Sequence, residues 1–180
     1  MSIRPEVRSA SWVADFLELR PSTIHGVGIF TSRLIEPGER VIEWGGTLFT
    51  TQEIKAGHAR QYSYVPINEE WYLGSPANAE LTVDDYINHS CAPNLWMLGS
   101  ATLIARFQIP RNGELTADYA MWLADESYEM KNPCNCGTIA CRHRVTGKDW
   151  RSEDLQLAYR GHFSTLVEGR IANSRLAQEN

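Results

Sequence analysis

Short apolar runs separated by turn residues fill the first two thirds of the chain, and they predict a fold built mainly from β-strands. Runs of a few residues bounded by Pro, Gly and Asn are typical of strands in small sheets. The predicted strands lie at residues 11–20, 28–30, 41–44, 62–67, 71–73 and 103–107, with turns at 36–39 and 110–113. The first segment is also compatible with a short helix, but its alternation of apolar and polar residues favours a strand.

Helical patterns occur in two places. Residues 51–60 predict a short helix, because a threonine can cap its start and Glu53 is favourable in the first turn. Residues 155–176 form the only sustained helical stretch, and Gly161 and Gly169 suggest two shorter helices rather than one. The predicted fold class is therefore mostly β, of the α+β type, with helices at its C-terminal end.

Composition narrows the class of protein. The 180 residues suit a single domain, and a hydrophobic content of 43% supports a real core. No stretch approaches the roughly 20 apolar residues of a membrane span, and the first residues lack the apolar run of a signal peptide. A net charge of -5 argues against nucleic acid binding through a broad basic surface. We therefore expect an intracellular, cytoplasmic protein with no direct nucleic acid or membrane partner.

The four cysteines fall into one pattern. Cys91 lies in the middle of the chain, and Cys134, Cys136 and Cys141 follow with the spacing C-x-C-x4-C. Four thiolates match the ligand count of one closed tetrahedral zinc site, which has no open position for substrate and would be structural. Two disulfides and free thiols are the alternatives. Zinc is favoured, because C-x-C is a strained spacing for a disulfide and nothing points to an oxidising compartment.

Three further motifs carry candidate chemistry, and each is weak when it is taken alone. His-Gly-Val-Gly at residues 25–28 lets a backbone approach a ligand closely, although a tight turn between strands is the more common explanation of such a motif taken alone. It is not the dinucleotide fingerprint, because no third glycine and no following helix appear. Asn88 and His89 offer polar groups that could bracket a cofactor or simply form a polar turn. Tyr119, which ends Glu-Leu-Thr-Ala-Asp-Tyr, is by itself an ordinary strand tyrosine.

Taken together and in this order, the motifs resemble those of the SET-domain protein lysine methyltransferases. That family carries x-G-x-G, then Asn-His-Ser-Cys-x-Pro-Asn, then Glu-Leu-Thr-x-Asp-Tyr, then a C-x-C-x4-C post-SET loop, and all four are present here over residues 24–141. The resemblance implies several small β-sheets with one segment threaded through a loop near the active site. It divides the chain into an N-terminal flank (1–20), a SET core (21–125), a post-SET zinc loop (126–145) and a C-terminal helical extension (146–180).

The resemblance also implies a reaction and a set of site residues. S-adenosylmethionine would be the co-substrate, and the methyl acceptor would be the ε-amine of a lysine in a protein or peptide, such as a histone or another basic protein. The residues implied in cofactor binding are Gly26, Val27, Gly28, Tyr64, Asn88, His89 and Tyr119. Tyr119 would lie at the methyl-transfer centre together with Tyr64, whose match to the family's upstream Ser-Tyr strand is looser. The ligands of one structural zinc ion would be Cys91, Cys134, Cys136 and Cys141.

The chemistry of these side chains agrees with that reaction. Methyl transfer is a single in-line displacement, in which holding the amine, the methyl group and the sulfur in line supplies much of the rate enhancement. Tyr119 is a poor base near neutral pH, because a phenol has a pKa of about 10. Its expected role is therefore orientation and electrostatic support of the methyl group. Tyr64, Tyr119 and Trp122 can supply aromatic walls for a lysine side chain, although core packing is the simpler reading of Trp122.

The chain departs from the family at two places. Ala117 stands where the family often has Phe or Tyr, and its small side chain predicts that higher methylation states fit, unless a neighbouring aromatic refills the space. Asp-Asp-Tyr at residues 84–86 replaces the usual Ala-Arg-Phe, which changes the local charge. A cysteine-rich pre-SET segment is absent from the sequence.

Two other functions compete with the enzyme, and several properties stay open. A catalytically weak SET-like module would bind a peptide without turnover, but it would need neither Asn88 and His89 nor Tyr119. A small zinc-stabilised structural protein explains the cysteines alone. The substrate protein, a homodimer and the role of residues 149–180 stay open, and location in a nucleus or host nucleus follows only if the substrate is chromatin.

Overall fold

Eleven short strands form three small sheets in the computed structural model, which describes residues 4–178. The strands are β1 (Trp12–Val13), β2 (Leu17–Pro21), β3 (Val27–Thr31), β4 (Arg40–Glu43), β5 (Thr47–Thr50), β6 (Ala59–Pro66), β7 (Trp71–Pro76), β8 (Asn88–His89), β9 (Leu95–Leu98), β10 (Thr102–Ala105) and β11 (Glu114–Ala117). Their orders in the three sheets are β1-β4-β10-β9, β2-β3-β11-β8 and β5-β7-β6. The predicted class, a mostly β chain of several small sheets, is confirmed.

Each predicted strand segment contains a strand, and four strands were missed. The segment at residues 11–20 holds both β1 and β2, because a turn at residues 15–16 separates them. The missed strands are β5, β8, β9 and β11. β8 has only two residues and β11 only four, so neither is long enough to show an alternating pattern. Both exist because they pair with each other inside the sheet.

The first helix, α1 (Thr51–Lys55), is shorter than the sequence predicted. Its start is a capping box, in which the Thr50 hydroxyl accepts from the Glu53 N–H and the Glu53 carboxylate accepts from the Thr50 N–H. Gly57, with a φ of +78°, ends the turn that follows. The prediction of helix up to residue 60 was therefore wrong, since residues 59 and 60 already belong to β6.

Two helices, α2 (Glu153–Ala158) and α3 (Thr165–Gln178), follow near the C-terminal end, as predicted. Gly161 lies between them with a φ of +78°, a backbone conformation that glycine adopts without steric cost. The expectation that Gly169 also interrupts helix was wrong. Gly169 lies inside α3 with open space around it, and a lone glycine in a helix is tolerated.

The second sheet brings the three sequence motifs side by side. Its central strand β11 pairs antiparallel with β3, Leu115 opposite Ile29, and parallel with β8, Ala117 opposite His89. Asn94 extends this pairing, because its side-chain amide donates to the Glu114 carbonyl at 2.7 Å and its oxygen accepts the Thr116 N–H at 2.8 Å. Segments far apart in the chain are thus fixed at one edge of the sheet.

The C-terminal helices share the main hydrophobic core with the sheets. Trp150, Tyr159, Phe163, Val167 and Ile171 are buried in the same cluster as the strand residues. A second, smaller cluster contains Cys91, Cys134 and Val145. The role of the C-terminal segment, left open by the sequence, therefore includes packing on the core through side chains within residues 150–171. No helix within the described residues is long and apolar enough to cross a membrane.

Candidate active site

A cavity of about 780 Å³ opens between the sheets and the cysteine loop. Four of the residues predicted to bind the cofactor line it, namely Tyr64, Asn88, His89 and Tyr119, and so does the predicted zinc ligand Cys134. The glycine segment reaches the cavity through Ile24 and His25, whereas Gly26, Val27 and Gly28 lie directly behind Asn88. The structure therefore gathers the predicted residues in one place, with the glycines forming the backing of the wall and not its surface.

Asn88 ties the glycine segment to β11. Its side-chain amide donates to the carbonyls of His25 and Val27, both at 3.2 Å, and to the Glu114 carboxylate at 2.7 Å. The Ser22 hydroxyl lies 2.8 Å and 2.9 Å from the two Glu114 oxygens. A Cβ on Gly28 would lie 2.1 Å from a Glu114 oxygen, so the close approach requires glycine. Glu114 stood in a quoted motif, but the sequence assigned it no role.

Tyr119 is held from both ends. Its hydroxyl donates to the Ile87 carbonyl at 2.8 Å, and its N–H donates to His89 Nδ1 at 3.3 Å. Its ring lies 5.1 Å from the His89 ring in an edge-on arrangement. Burial raises the pKa of Tyr119 above its ordinary value. The phenol is therefore protonated at neutral pH, which fits an orienting group and not a base.

His89 is buried and neutral at physiological pH. Burial lowers its pKa from 6.5 to about 4, although Asp118 acts in the opposite direction. Since Nδ1 accepts the Tyr119 N–H, the ring proton belongs on Nε2, which lies 3.2 Å from Cys91 Sγ. The imidazole thus joins the tyrosine of one motif to the first cysteine of another.

Aromatic side chains form much of the remaining wall. Tyr64 packs edge-on against Tyr72 at 5.8 Å, and burial raises the pKa of Tyr64. Trp122 lies 5.2 Å from Trp44 and 5.5 Å from Tyr119, between ring centroids. Trp122 lines the cavity and also belongs to the core, so it forms part of the aromatic wall and packs in the core as well.

Ala117 has no exposed surface and lies behind the cavity wall. Trp122 lines the cavity and belongs to the same hydrophobic cluster as Ala117.

The four cysteine sulfurs converge on one point beside Tyr119. They all lie within 4.8 Å of one another, and the Cys91 and Cys134 sulfurs are 4.0 Å apart. Disulfide sulfurs are bonded at about 2.05 Å, so these thiols are free. Ligands at about 2.3 Å around a tetrahedral zinc ion lie about 3.8 Å from each other. The donor set and its spacing therefore fit one zinc ion.

A buried ion-pair network behind Tyr119 was not foreseen from the sequence. The Asp118 carboxylate has no exposed surface and accepts two hydrogen bonds from Arg142, at 2.7 Å and 2.8 Å. It also accepts the Tyr159 hydroxyl at 2.9 Å. Asp118 is the second-last residue of a quoted motif and Arg142 directly follows Cys141, so both had a positional signal. Nothing in the sequence singled out Tyr159.

Comparisons with known proteins agree with this geometry. The family model described as SET domain matches residues 26–120, more than half of the chain. Histone-lysine N-methyltransferase trithorax from Drosophila virilis is 32% identical over 139 residues, covering 71% of this chain and 4% of that protein. Histone-lysine N-methyltransferase ash1 from Drosophila melanogaster is 30% identical over 178 residues, covering 91% of this chain and 8% of that protein.

A solved structure shares the fold. The methyltransferase domain of human Histone-lysine N-methyltransferase SETMAR superposes with a TM-score of 0.58 at 19% identity, covering 74% of this chain and 58% of that chain. This chain spans less than a tenth of the length of the two Drosophila relatives. The matched motifs, the shared fold and the family model together lead to one conclusion: the chain belongs to the SET domain family.

Proposed function

We propose that this protein transfers methyl groups from S-adenosylmethionine to the ε-amine of a lysine in a protein substrate. The observation that carries the proposal is the convergence of three motifs on one cavity, where Asn88 and His89 lie beside the glycine segment and next to the doubly anchored Tyr119. The matched relatives are named histone-lysine N-methyltransferases, which supports the same reaction class.

The chain's own residues suit the cofactor and the metal. S-adenosylmethionine supplies an electrophilic methyl group on a sulfonium, and the site residues proposed to hold it are Gly26, Val27, Gly28, Tyr64, Asn88, His89 and Tyr119. Aromatic faces in this wall favour a cation. The four converging cysteines would hold one structural zinc ion, which would keep residues 126–145 folded against the cavity.

The residues around Tyr119 would align the reacting groups and would favour the neutral form of the substrate lysine. A lysine in water has a pKa of about 10.4 and is protonated. Removal from water in an apolar channel and the positive charge of the nearby sulfonium both disfavour the ammonium form, so the lysine reacts as the free amine. Tyr119 stays protonated and fixed to the Ile87 carbonyl, so its role is to orient the reacting groups. Alignment of this kind supplies much of the rate enhancement in a two-substrate displacement.

The cavity wall favours a basic substrate segment. Asp84 and Asp125 line it, and within residues 4–178 neither has an ion-pair partner. Their hydrogen bonds come from Ser11, Thr82 and Ser127. Lys131 also lines the cavity, but the two carboxylates outnumber it. An excess of negative charge attracts Lys- and Arg-rich peptides, which agrees with a histone or another basic protein. A nuclear location, in the cell or in a host, would follow only from a chromatin substrate.

The experiment is a transfer assay with radiolabelled S-adenosylmethionine, histones and cell lysate. We expect labelled protein from the wild type and a loss of at least about tenfold in Tyr119→Phe, which keeps the ring and removes the hydroxyl that fixes it. Tyr86→Phe is the matched control, since its hydroxyl has no hydrogen bond within the described residues and the family itself carries Phe there. Mass spectrometry should find di- or trimethylated lysine, and monomethyl product alone would contradict the prediction from Ala117.

Zinc analysis of the same samples separates the alternatives. We expect one zinc ion per chain, lost in Cys141→Ser. Cofactor binding without label transfer on any substrate would favour the peptide-binding module. A folded, zinc-loaded protein that binds no S-adenosylmethionine would overturn the proposal altogether.

A further inference from the structure

The Asp118 carboxylate is a meeting point of three segments that are distant in sequence. Arg142 reaches it from the cysteine loop with a two-pronged ion pair, and Tyr159 reaches it from the end of α2. Arg142 is also held by Asp149 at 3.0 Å, and its N–H donates to Cys91 Sγ at 3.3 Å. A fully buried carboxylate is costly unless such donors compensate it, so the network fixes all three segments relative to one another.

Asp118 in turn sets the direction of Tyr119. It lies between the end of β11 and the 3-10 turn Tyr119–Met121, and its carboxylate caps that turn by accepting the Ala120 N–H at 2.9 Å. An N-cap side chain fixes where a turn begins. The Tyr119 backbone therefore leaves the strand at an angle that Asp118 determines, and this angle aims the phenol at the Ile87 carbonyl.

We propose that Arg142 and Tyr159 are positioning residues that hold Tyr119 through Asp118, so that the C-terminal extension is a working part of the active site. The inference rests on the proposed methyl transfer. Neither residue lines the cavity and both contact Asp118 behind Tyr119, so we expect them to act through Asp118. Substituting either residue should therefore lower the rate of the chemical step without changing the affinity for either substrate.

Tyr159→Phe is the variant that tests this role. The phenylalanine ring keeps the packing against Trp96 and Phe163, whose centroids lie 5.3 Å and 5.9 Å away. The substitution removes the hydroxyl, which lies 2.9 Å from the Asp118 carboxylate and, at the longer distance of 3.4 Å, near the Cys91 carbonyl. We expect kcat to fall about tenfold, as for the loss of a hydrogen bond to a buried charge. The KM values of both substrates and the calorimetric affinity for S-adenosylmethionine should stay within about twofold of wild type. Tyr86→Phe serves as the hydroxyl-deletion control.

A double-mutant cycle tests whether the effect passes through Asp118. In an Asp118→Asn background, Tyr159→Phe should change kcat by less than about twofold, since coupled residues are non-additive. If Asp118→Asn does not fold, Arg142→Lys takes its place, because lysine keeps the charge but not the two-pronged geometry. Additive effects, or unchanged kcat in Tyr159→Phe, would overturn the inference while wild-type turnover still supports the proposed function. An inactive wild type would instead refute the proposed function itself.

Discussion

The conformations of individual site residues are fixed in part by side chains that lie behind the cavity wall. Gly28 faces Glu114 and Asn88, and Asp118 faces Arg142 and Tyr159. In both places a charged side chain is packed against the backbone of a motif. The conformation of the motif therefore depends on the side chains of Glu114, Arg142 and Tyr159, which do not line the cavity.

Gly28→Ala is predicted to damage both stability and cofactor binding. The new Cβ would lie 2.1 Å from a Glu114 oxygen and 3.0 Å from the Asn88 amide nitrogen, so hydrogen bonds on both residues must break or shift. Overpacking of this kind costs about 1–3 kcal/mol. Urea denaturation and calorimetry with S-adenosylmethionine measure the two effects.

The matched control for this substitution is Gly169→Ala in α3. No atom lies within 4 Å of the new Cβ there, so the change should be neutral or stabilising by up to about 1 kcal/mol. Equal stability of the two variants, with cofactor affinity intact in both, would contradict the close-approach argument for Gly28.

The motif residues could be predicted from the sequence, whereas their partners could not. Asn88, His89 and Tyr119 stand in short contiguous strings, and the structure gathers them at one cavity. Tyr159 lies 41 positions from Asp118, in a helical stretch whose composition is ordinary. A long-range pair of this kind depends on tertiary packing, which no local pattern encodes.

Strand β6 has an irregular pairing with its neighbour, and an ion pair made by its second residue, Arg60, holds it in place. Its pairing with β7 shifts register between Ala59 and Tyr64, and Tyr62 adopts a φ of +64° inside the bulge. Arg60 bonds to Asp85 at 2.6 Å and to the Ala79 carbonyl at 2.7 Å, while Asp85 also accepts the Ser63 hydroxyl. The aspartate that replaces the family's arginine thus anchors the strand that carries Tyr64.

Asp85→Asn is predicted to destabilise the fold by about 2 kcal/mol at neutral pH. Burial acts to raise the pKa of Asp85, but hydrogen bonds from Ser63, Thr82 and Arg60 outweigh it, and the pKa lies below its ordinary value. A carboxylate with a lowered folded-state pKa stabilises the fold above its unfolded pKa of about 4, and this contribution is lost as the pH falls further. The difference between variant and wild type should therefore shrink below about pH 4.

Urea denaturation of both proteins from pH 7 to pH 3 makes this measurement. The control is Glu18→Gln, which removes the exposed ion pair with Arg20 and should cost under about 1 kcal/mol at any pH. A constant difference between Asp85→Asn and wild type across the range would show that the charge of Asp85 is not what holds β6.

Element boundaries show why sequence patterns succeed only in part. The capping box at Thr50 was visible and α1 begins there, but the pattern ran on past Gly57 into β6. β8 exists only through its parallel pairing with β11, which depends on residues almost thirty positions away. In α1 a local capping signal identifies the start of the helix, whereas the existence of β8 depends on tertiary pairing.

At the scale of the whole molecule, the chain has one main core to which both ends of the sequence contribute. Leu17 and Ile29 share it with Trp150, Phe163 and Val167. Full burial of such a side chain contributes about 1.5–3 kcal/mol, and an entire domain has a net stability of only about 5–15 kcal/mol. Burial of the side chains of the helical extension thus contributes a free energy comparable to the whole net free energy of unfolding of the domain.

A chain ending at residue 148 is therefore predicted not to fold. Near-ultraviolet circular dichroism should show no fixed tryptophan environment, and the protein should aggregate. A chain ending at residue 172 is the control, because residues 173–177 are exposed and their loss should leave a cooperative transition. A cooperatively folded 148-residue chain would show that residues 149–180 are an accessory and not a part of the core.

The Tyr159 hydroxyl, which meets Asp118 far back in the chain, also sets the order of events during synthesis. A polypeptide emerges from the ribosome beginning with its N-terminal residues, and domains generally fold as units. The glycine segment, Asn88 and Tyr119 therefore all leave the ribosome before Tyr159, whose hydroxyl meets the carboxylate next to Tyr119. Since the core also needs residues of the C-terminal helices, the proposed methyl transfer should begin only after α2 and α3 have emerged.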